Sequence, residues 1–339
     1  MYRLGQGDRV TMQIRISGTG RALPQHSLST RQIEADLGLD PGSLQRATGV
    51  VSRHVCTTES QVDLAVAACE AALRDASLTA DAVGLVVSGS AVPYQPIPAT
   101  APLVMRGLGL ADGTAAAFDV NSTCLSFLTA FEVAARQVTA GVVDHALVVS
   151  SEIASRALPW ATDPETAALF GDGAAAAVLS RSTTDSRVVA TLLRTYPSAY
   201  GACSLGAGGT RFDYHRNPQD FATHSRFAMD GKALFRLTAL HFRGFVDDLL
   251  TRAGWQRDEV DLIVPHQASP AALAHMVRQC GFRPDQAVMI AETVGNQIAA
   301  SIPFALDVAR QDGRLRDGAR VVLLGTSAGV SFGGMALVL

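Results

Sequence analysis

The sequence predicts an α/β protein made of two similar halves, with mixed sheets covered by helices on both faces. Two observations carry that prediction. Short, almost continuously apolar runs such as Val83–Val87 and Val321–Leu324 alternate with segments of helical period, the pattern of strands buried on both faces. The order then recurs: Asp81–Val87 (Asp-Ala-Val-Gly-Leu-Val-Val) matches Asp258–Val264 (Asp-Glu-Val-Asp-Leu-Ile-Val), 177 positions on, and Ala146–Val149 matches Val321–Leu324, 175 positions on. An internal repeat of this kind implies two copies of one supersecondary plan, whose helices would pack together in the middle. The expected halves are 12–183 and 184–339, divided near the polar stretch Ser180–Ser186.

The elements follow in order. Met12–Gly18 alternates as a strand does. Ser60–Ser77 places apolar residues at 62, 65, 66, 69, 72, 73 and 76, an amphipathic helix. Val83–Gly89 reads as a buried strand, Pro93–Pro98 as a Pro-rich loop, and Ala101–Gly107 as a helix. A strand end at Ala115–Val120 runs into Asn121-Ser-Thr-Cys124. Apolar positions at helical spacing follow (Leu125, Leu128, Phe131, Ala135, Val138). Strands are expected at His145–Ser150 and Ala174–Leu179. In the second half, helices are expected at Lys232–Ala253, Pro270–Cys280 and Ala299–Gln311. The matching strands are Val260–Pro265, Ala287–Ile290, Arg320–Gly325 and Ser331–Val338. The stretch Tyr196–Ser225 is irregular, a surface excursion near the site. The first twelve residues lack periodicity and read as a loose tail.

Of 339 residues, 48% are hydrophobic and 17% charged, which describes a chain with a large core. The net charge is −3 and basic runs are short, so nucleic acid is not an expected partner. The apolar runs are far too short to span a bilayer, and no charged segment followed by an apolar one marks a signal peptide. Five cysteines without CxxC or disulfide spacing read as reduced and cytoplasmic. No motif suggests a metal.

Three polar residues stand where chemistry is done. Cys124 is expected in the first turn of a helix, after the candidate caps Asn121, Ser122 and Thr123. There the helix dipole and unpaired N–H groups favour thiolate. His266 follows the strand 260–265, at the strand end where α/β proteins place working groups. Asn296 sits between Gly295 and a helix. Each alone has an ordinary structural explanation. Under the repeat, Asn296, 172 positions after Cys124, falls close to the place of Cys124, and His266 matches Gly89. A thiol, an imidazole and a carboxamide converging on one point make a cysteine acyl-transfer site.

The segments Phe118–Phe127, Val264–Ala268 and Gly295–Pro303, with Phe170–Gly173, resemble the β-ketoacyl-acyl carrier protein synthase III branch of the thiolase superfamily, over about 12–339. The resemblance implies a five-layered αβαβα fold, a homodimer, and acyl transfer from coenzyme A or an acyl carrier protein. It implies no cofactor beyond those phosphopantetheine thioesters. Cys124 is then the acylated nucleophile, with His266 and Asn296 stabilising a malonyl-derived enolate. The backbone N–H groups of Cys124 and Gly329 would hold the acyl oxygen. Ile97, Phe212 and Ser327 are candidates for substrate contact.

The sequence also departs from the family. Ser43 and Ala47 stand where housekeeping members carry a tryptophan and an arginine that grip the adenine of coenzyme A. Ala271 or a neighbour replaces the arginine that docks the carrier protein. Ser327, Ala328 and Val330 alter the glycine-rich loop around Gly329. Ile97 stands where the branch condensing two long acyl chains has a glutamate. These departures point to a specialised-metabolism paralogue. Decarboxylative condensation is the first expectation, passage of the acyl group to an alcohol or amine the second, and an inactive partner subunit the third.

Overall fold

The computed structural model describes residues 11–339; most of the expected N-terminal tail lies outside them. The first sheet contains β1 (Ile14–Ala22), β2 (Leu85–Ser88), β3 (Ala116–Asp119), β4 (His145–Glu152) and β5 (Gly173–Arg181), in the spatial order β1-β5-β4-β2-β3. The second contains β6 (Arg187–Thr195), β7 (Leu262–Pro265), β8 (Arg320–Ser327) and β9 (Ser331–Val338), in the order β7-β8-β9-β6. β2 runs parallel to β3 and β4, and β7 runs parallel to β8. The remaining pairings are antiparallel. The order β1-β5-β4-β2 therefore recurs as β6-β9-β8-β7.

Helix α1 (Gln61–Asp75) covers the outer face of the first sheet, and α3 (Gly231–Ala253) packs on β6 and β9 of the second. Between the sheets lie α2 (Ser126–Thr139) and α4 (Ser301–Gln311), which touch each other and strands of both halves. The result is the five-layered αβαβα arrangement expected from the resemblance. Side-chain alternation explains why the strands read as unbroken apolar runs. Ala146 and Val148 face the central helices, while Leu147 and Val149 face α1. In β8, Val321 and Leu323 point to the centre and Val322 and Leu324 to the α3 side. Neither face meets water, so neither needs polar residues. Phe127 and Phe131 of α2 are fully buried in this middle layer; each such ring contributes roughly 2–3 kcal/mol by burial.

Two expectations change. Ala287–Ile290 forms no strand: it supplies a single parallel bridge, Ile263 to Ala287, beside β7. The segment expected only as a boundary and lead-in contains a full edge strand, β6, whose Leu193 stays 47% exposed. Within the expected excursion, Pro197–Ala202 makes 3₁₀ turns and Pro218–His224 a short helix. No helix among the described residues is long and apolar enough to cross a membrane.

Candidate active site

Cys124 occupies a 3₁₀ turn, Thr123–Leu125, one step ahead of α2. None of the three polar residues before it caps the helix through its side chain. Asn121 instead closes an Asx turn, its Oδ1 accepting the Thr123 N–H at 2.9 Å. Thr123 has φ +53°, a left-handed conformation unusual for a β-branched residue. Ser126 Oγ accepts the Ser122 N–H at 3.0 Å.

The second half repeats this turn atom for atom. Asn296 Oδ1 accepts the Ile298 N–H at 2.8 Å, Ile298 has φ +50°, and Ser301 Oγ accepts the Gln297 N–H at 3.2 Å. The local register of the repeat is therefore 175, which corrects the offset of 172. Asn296 is the counterpart of Asn121, and Cys124 corresponds to Ala299. His266 does correspond to Gly89: their N–H groups donate to Leu324 and Val149 carbonyls, each at 2.7 Å.

His266 leaves the end of β7 against Gly325 of β8. A Cβ on Gly325 would lie 3.0 Å from that of His266 and 2.9 Å from Leu125, so only glycine lets the imidazole and the Cys124 turn share this space. Gln267, fully buried, fixes the neighbouring chain. Its amide donates to Pro265 and Val288 carbonyls and accepts the N–H groups of Ile290 and Ala291. Asn296 is pinned by the chain at 169–171: its N–H donates to the Leu169 carbonyl and its own carbonyl accepts the Gly171 N–H. Because its Oδ1 receives the Ile298 N–H, its Nδ2 faces the other way, with one 3.4 Å contact to the Ala268 carbonyl. Asn296 is thereby presented as a donor.

These pieces meet. The Thr123–Leu125 turn contacts both the Ile298–Ala300 turn and β8, and Thr123 Oγ1 donates to the Ala328 carbonyl at 3.3 Å. The electrostatics differ from the sequence expectation. The Cys124 thiol is pushed up to about 12, first by burial and then by the Cys203 and Glu152 charges; backbone N–H groups of Ala328 and Cys124 pull it back only in part. The helix-terminus effect is real but loses to desolvation. Burial holds the His266 imidazole down to about 4, against an opposing backbone contact at Ile298. At neutral pH Cys124 is a thiol and His266 a neutral imidazole. Such a pair makes its nucleophile by proton transfer during attack.

Gly329 has φ +119° in the hairpin joining β8 to β9, a conformation that favours glycine. Ser327 is buried, its hydroxyl donating to the Ala328 carbonyl. Phe212 stacks on His224 at 4.2 Å with the Arg211 guanidinium over its ring, so its contacts serve the excursion. Ile97 stands 87% exposed at the Pro-rich loop. Ala47 and Ala271 are exposed and Ser43 half-buried. Sequence reading missed Glu152. This buried carboxyl ends β4, accepts the Ala91 N–H at 2.5 Å, and is raised to about 8 by burial against backbone donors at Ala91, Val92 and Ala299. Its place at a strand end, facing the loop 91–98, was the only available signal.

Comparison with known proteins bears on the family and the fold. The model of the family 3-oxoacyl-[acyl-carrier-protein (ACP)] synthase III matches residues 118–197, and the model of that family's C-terminal part matches 250–339. A β-ketoacyl-[acyl-carrier-protein] synthase III from Streptomyces coelicolor is 34% identical, over 95% of this chain and 96% of its own length. The corresponding Pseudomonas aeruginosa protein is 35% identical over 95% of each. Among solved structures, 3-oxoacyl-[acyl-carrier-protein] synthase III from Aquifex aeolicus superposes with TM-score 0.86 at 27% identity, covering 96% of this chain and all of that one. Xanthomonas campestris OleA superposes at 0.81 and 27%, covering 97% and 98%. With relatives above 30% identity that it covers almost end to end, and with the family models matching 118–197 and 250–339, the chain belongs to the 3-oxoacyl-[acyl-carrier-protein] synthase III family.

Proposed function

We propose that the chain is an acyltransferase that carries an acyl group on Cys124 and condenses it with a malonyl-type thioester, releasing carbon dioxide. The observation that supports this reading is that the turn carrying Cys124 packs on the 298–300 turn, two residues after Asn296, and on β8, whose Gly325 lies against His266. The thioester donor is acyl-coenzyme A or an acyl carrier protein. As Cys124 Sγ attacks the thioester carbonyl, its proton passes to His266 and from there to the departing thiolate. The N–H groups of Cys124 and Gly329 receive the negative charge on the acyl oxygen. A malonyl thioester then enters, and its carboxylate leaves as carbon dioxide. His266 and Asn296 donate to the resulting enolate oxygen while its α-carbon attacks the acyl carbon. That attack forms the carbon–carbon bond; collapse of the tetrahedral intermediate breaks the carbon–sulfur bond to Cys124 and expels its thiolate, which takes up a proton from water by way of His266.

Edge strand β3 leaves Phe118 36% exposed beside the catalytic turn, and Ile97 is bare; a second copy covering both fits a homodimer. All five cysteines are free thiols, which fits work in a reducing cytosol. The test is to load the enzyme with an acyl group, add malonyl thioester carrying a labelled free carboxyl, and collect labelled carbon dioxide. Release dependent on Asn296 supports condensation. Loss of the acyl group to an added alcohol or amine without release would replace it with simple transfer.

A further inference from the structure

The paired turns of the two halves contain a second asparagine that the reaction above does not use. Asn121 and Asn296 occupy equivalent positions, make the same Asx turn, and each holds a β-branched residue at positive φ, Thr123 at +53° and Ile298 at +50°. Such a conformation is strained and persists only where surrounding groups over-determine it. At Thr123 the determining groups can be followed bond by bond. Asn121 Oδ1 accepts the Thr123 N–H at 2.9 Å, and Asn121 Nδ2 donates to the Ala91 carbonyl at 2.8 Å. The Ala91 N–H donates to the buried Glu152 carboxyl at 2.5 Å. On the other side, Thr123 Oγ1 donates to its neighbour's carbonyl at Ser122 (2.8 Å) and across to Ala328 (3.3 Å). Asn121 is thus the middle link between a fixed carboxyl at the end of β4 and the hairpin that faces the thiol. Residue 124 follows directly, so the angle at Thr123 sets where the Cys124 N–H and Sγ point.

We propose that Asn121 is a positioning residue for the nucleophile: by holding Thr123 in its left-handed conformation it aims Cys124 at the 326–330 hairpin and His266. The two halves use one turn for two purposes. In the second half the asparagine itself faces the site, with alanine in the place of cysteine. In the first half the cysteine faces the site and the asparagine supports it from behind. Asn121 is exposed, whereas Asn296 is 6% exposed, so removing the Asn121 amide opens no cavity in the core.

The proposal rests on Cys124 being the acylated residue, and its test separates the two claims. Asn121→Ala, Asn121→Ser and Thr123→Gly variants are compared with wild type for acyl loading rate, iodoacetamide alkylation of Cys124 and melting temperature. Asn121→Ala is expected to load about ten- to a hundredfold more slowly, the penalty of a misaimed nucleophile, with its melting temperature near wild type. Asn121→Ser is expected to recover most of that loss, because a serine Oγ can accept the same N–H. In a Thr123→Gly background, where glycine takes positive φ freely, Asn121→Ala is expected to cost much less, a coupling readable as a double-mutant cycle. Equal loading and alkylation in Asn121→Ala and wild type would overturn the proposal, as would a loss of equal size in both Thr123 backgrounds. A wild type that alkylates at Cys124 yet loads no acyl group would overturn the acyltransferase reading instead. The alkylation series would then still decide the role of Asn121.

Discussion

At Cys124 two physical effects compete, and their balance defines how the site must work. The turn ahead of α2 offers N–H groups to the sulfur, yet burial outweighs them and the thiol is pushed up to about 12. His266 moves in the opposite direction, to about 4, for the same reason: desolvation disfavours whichever form is charged. Both groups are neutral at rest, and His266 stays unprotonated well below its ordinary titration range. A base with a depressed pKa works above that pKa and is lost as pH falls through it. The rate of acyl loading is therefore expected to be level from pH 7 down to about 5 and to fall through about pH 4. A fall centred between pH 6 and 7, where an unperturbed imidazole titrates, would show that His266 is solvated in the working enzyme. At this scale His266 and Asn296 were legible as candidates because each stands at an element boundary that the repeat brings to the middle. Asn121 read only as a cap candidate, because an Asx turn and a helix cap draw on the same short polar side chains.

At the scale of elements, the apolar runs made the sheets legible and left their junctions uncertain. Strands buried on both faces announce themselves by composition, so β2, β4, β7 and β8 could be placed within a few residues. The same uniformity blurs register. An apolar run matches its partner at several offsets, and the true register at the turns, 175, is set by polar contacts at Asn121, Ser126, Asn296 and Ser301. β6 escaped notice because an edge strand needs neither a continuous apolar run nor clean alternation; its Leu193 is exposed. The other edge, β3, has a different fate in this account. Its Ala116 and Phe118 are exposed on one side of the sheet and, among the described residues, no strand pairs with its outer edge, an arrangement natural proteins usually cover. Phe118→Lys is expected to convert a dimer to a monomer in light-scattering measurements after size-exclusion chromatography, with loading reduced. A wild-type monomer at micromolar concentration would contradict the assembly proposed for this edge.

At the scale of the whole molecule, one plan used twice explains why the site has the composition it has. Each half supplies a strand end, a left-handed turn and a central helix, but only one half keeps a thiol and only the other keeps an imidazole. Gly89 and Ala299 occupy the positions that would complete the second set, and a Cβ at Gly89 would sit 2.7 Å from the Ser126 carbonyl oxygen. The central layer that unites the halves is thus also the layer that makes one site from two. What the sequence could not disclose is the acyl pocket. Ile97 is bare in a single chain and Phe212 is engaged with His224, so the pocket's shape depends on contacts between distant segments that no local pattern encodes.

The most direct measurement is intact-mass spectrometry of the enzyme after exposure to a panel of acyl-coenzyme A and acyl-carrier-protein thioesters, followed by peptide mapping. The account predicts one acyl adduct per chain, located on Cys124 and abolished in Cys124→Ala. An adduct on another cysteine, or none with any donor in the panel while Cys124 remains open to alkylation, would contradict it.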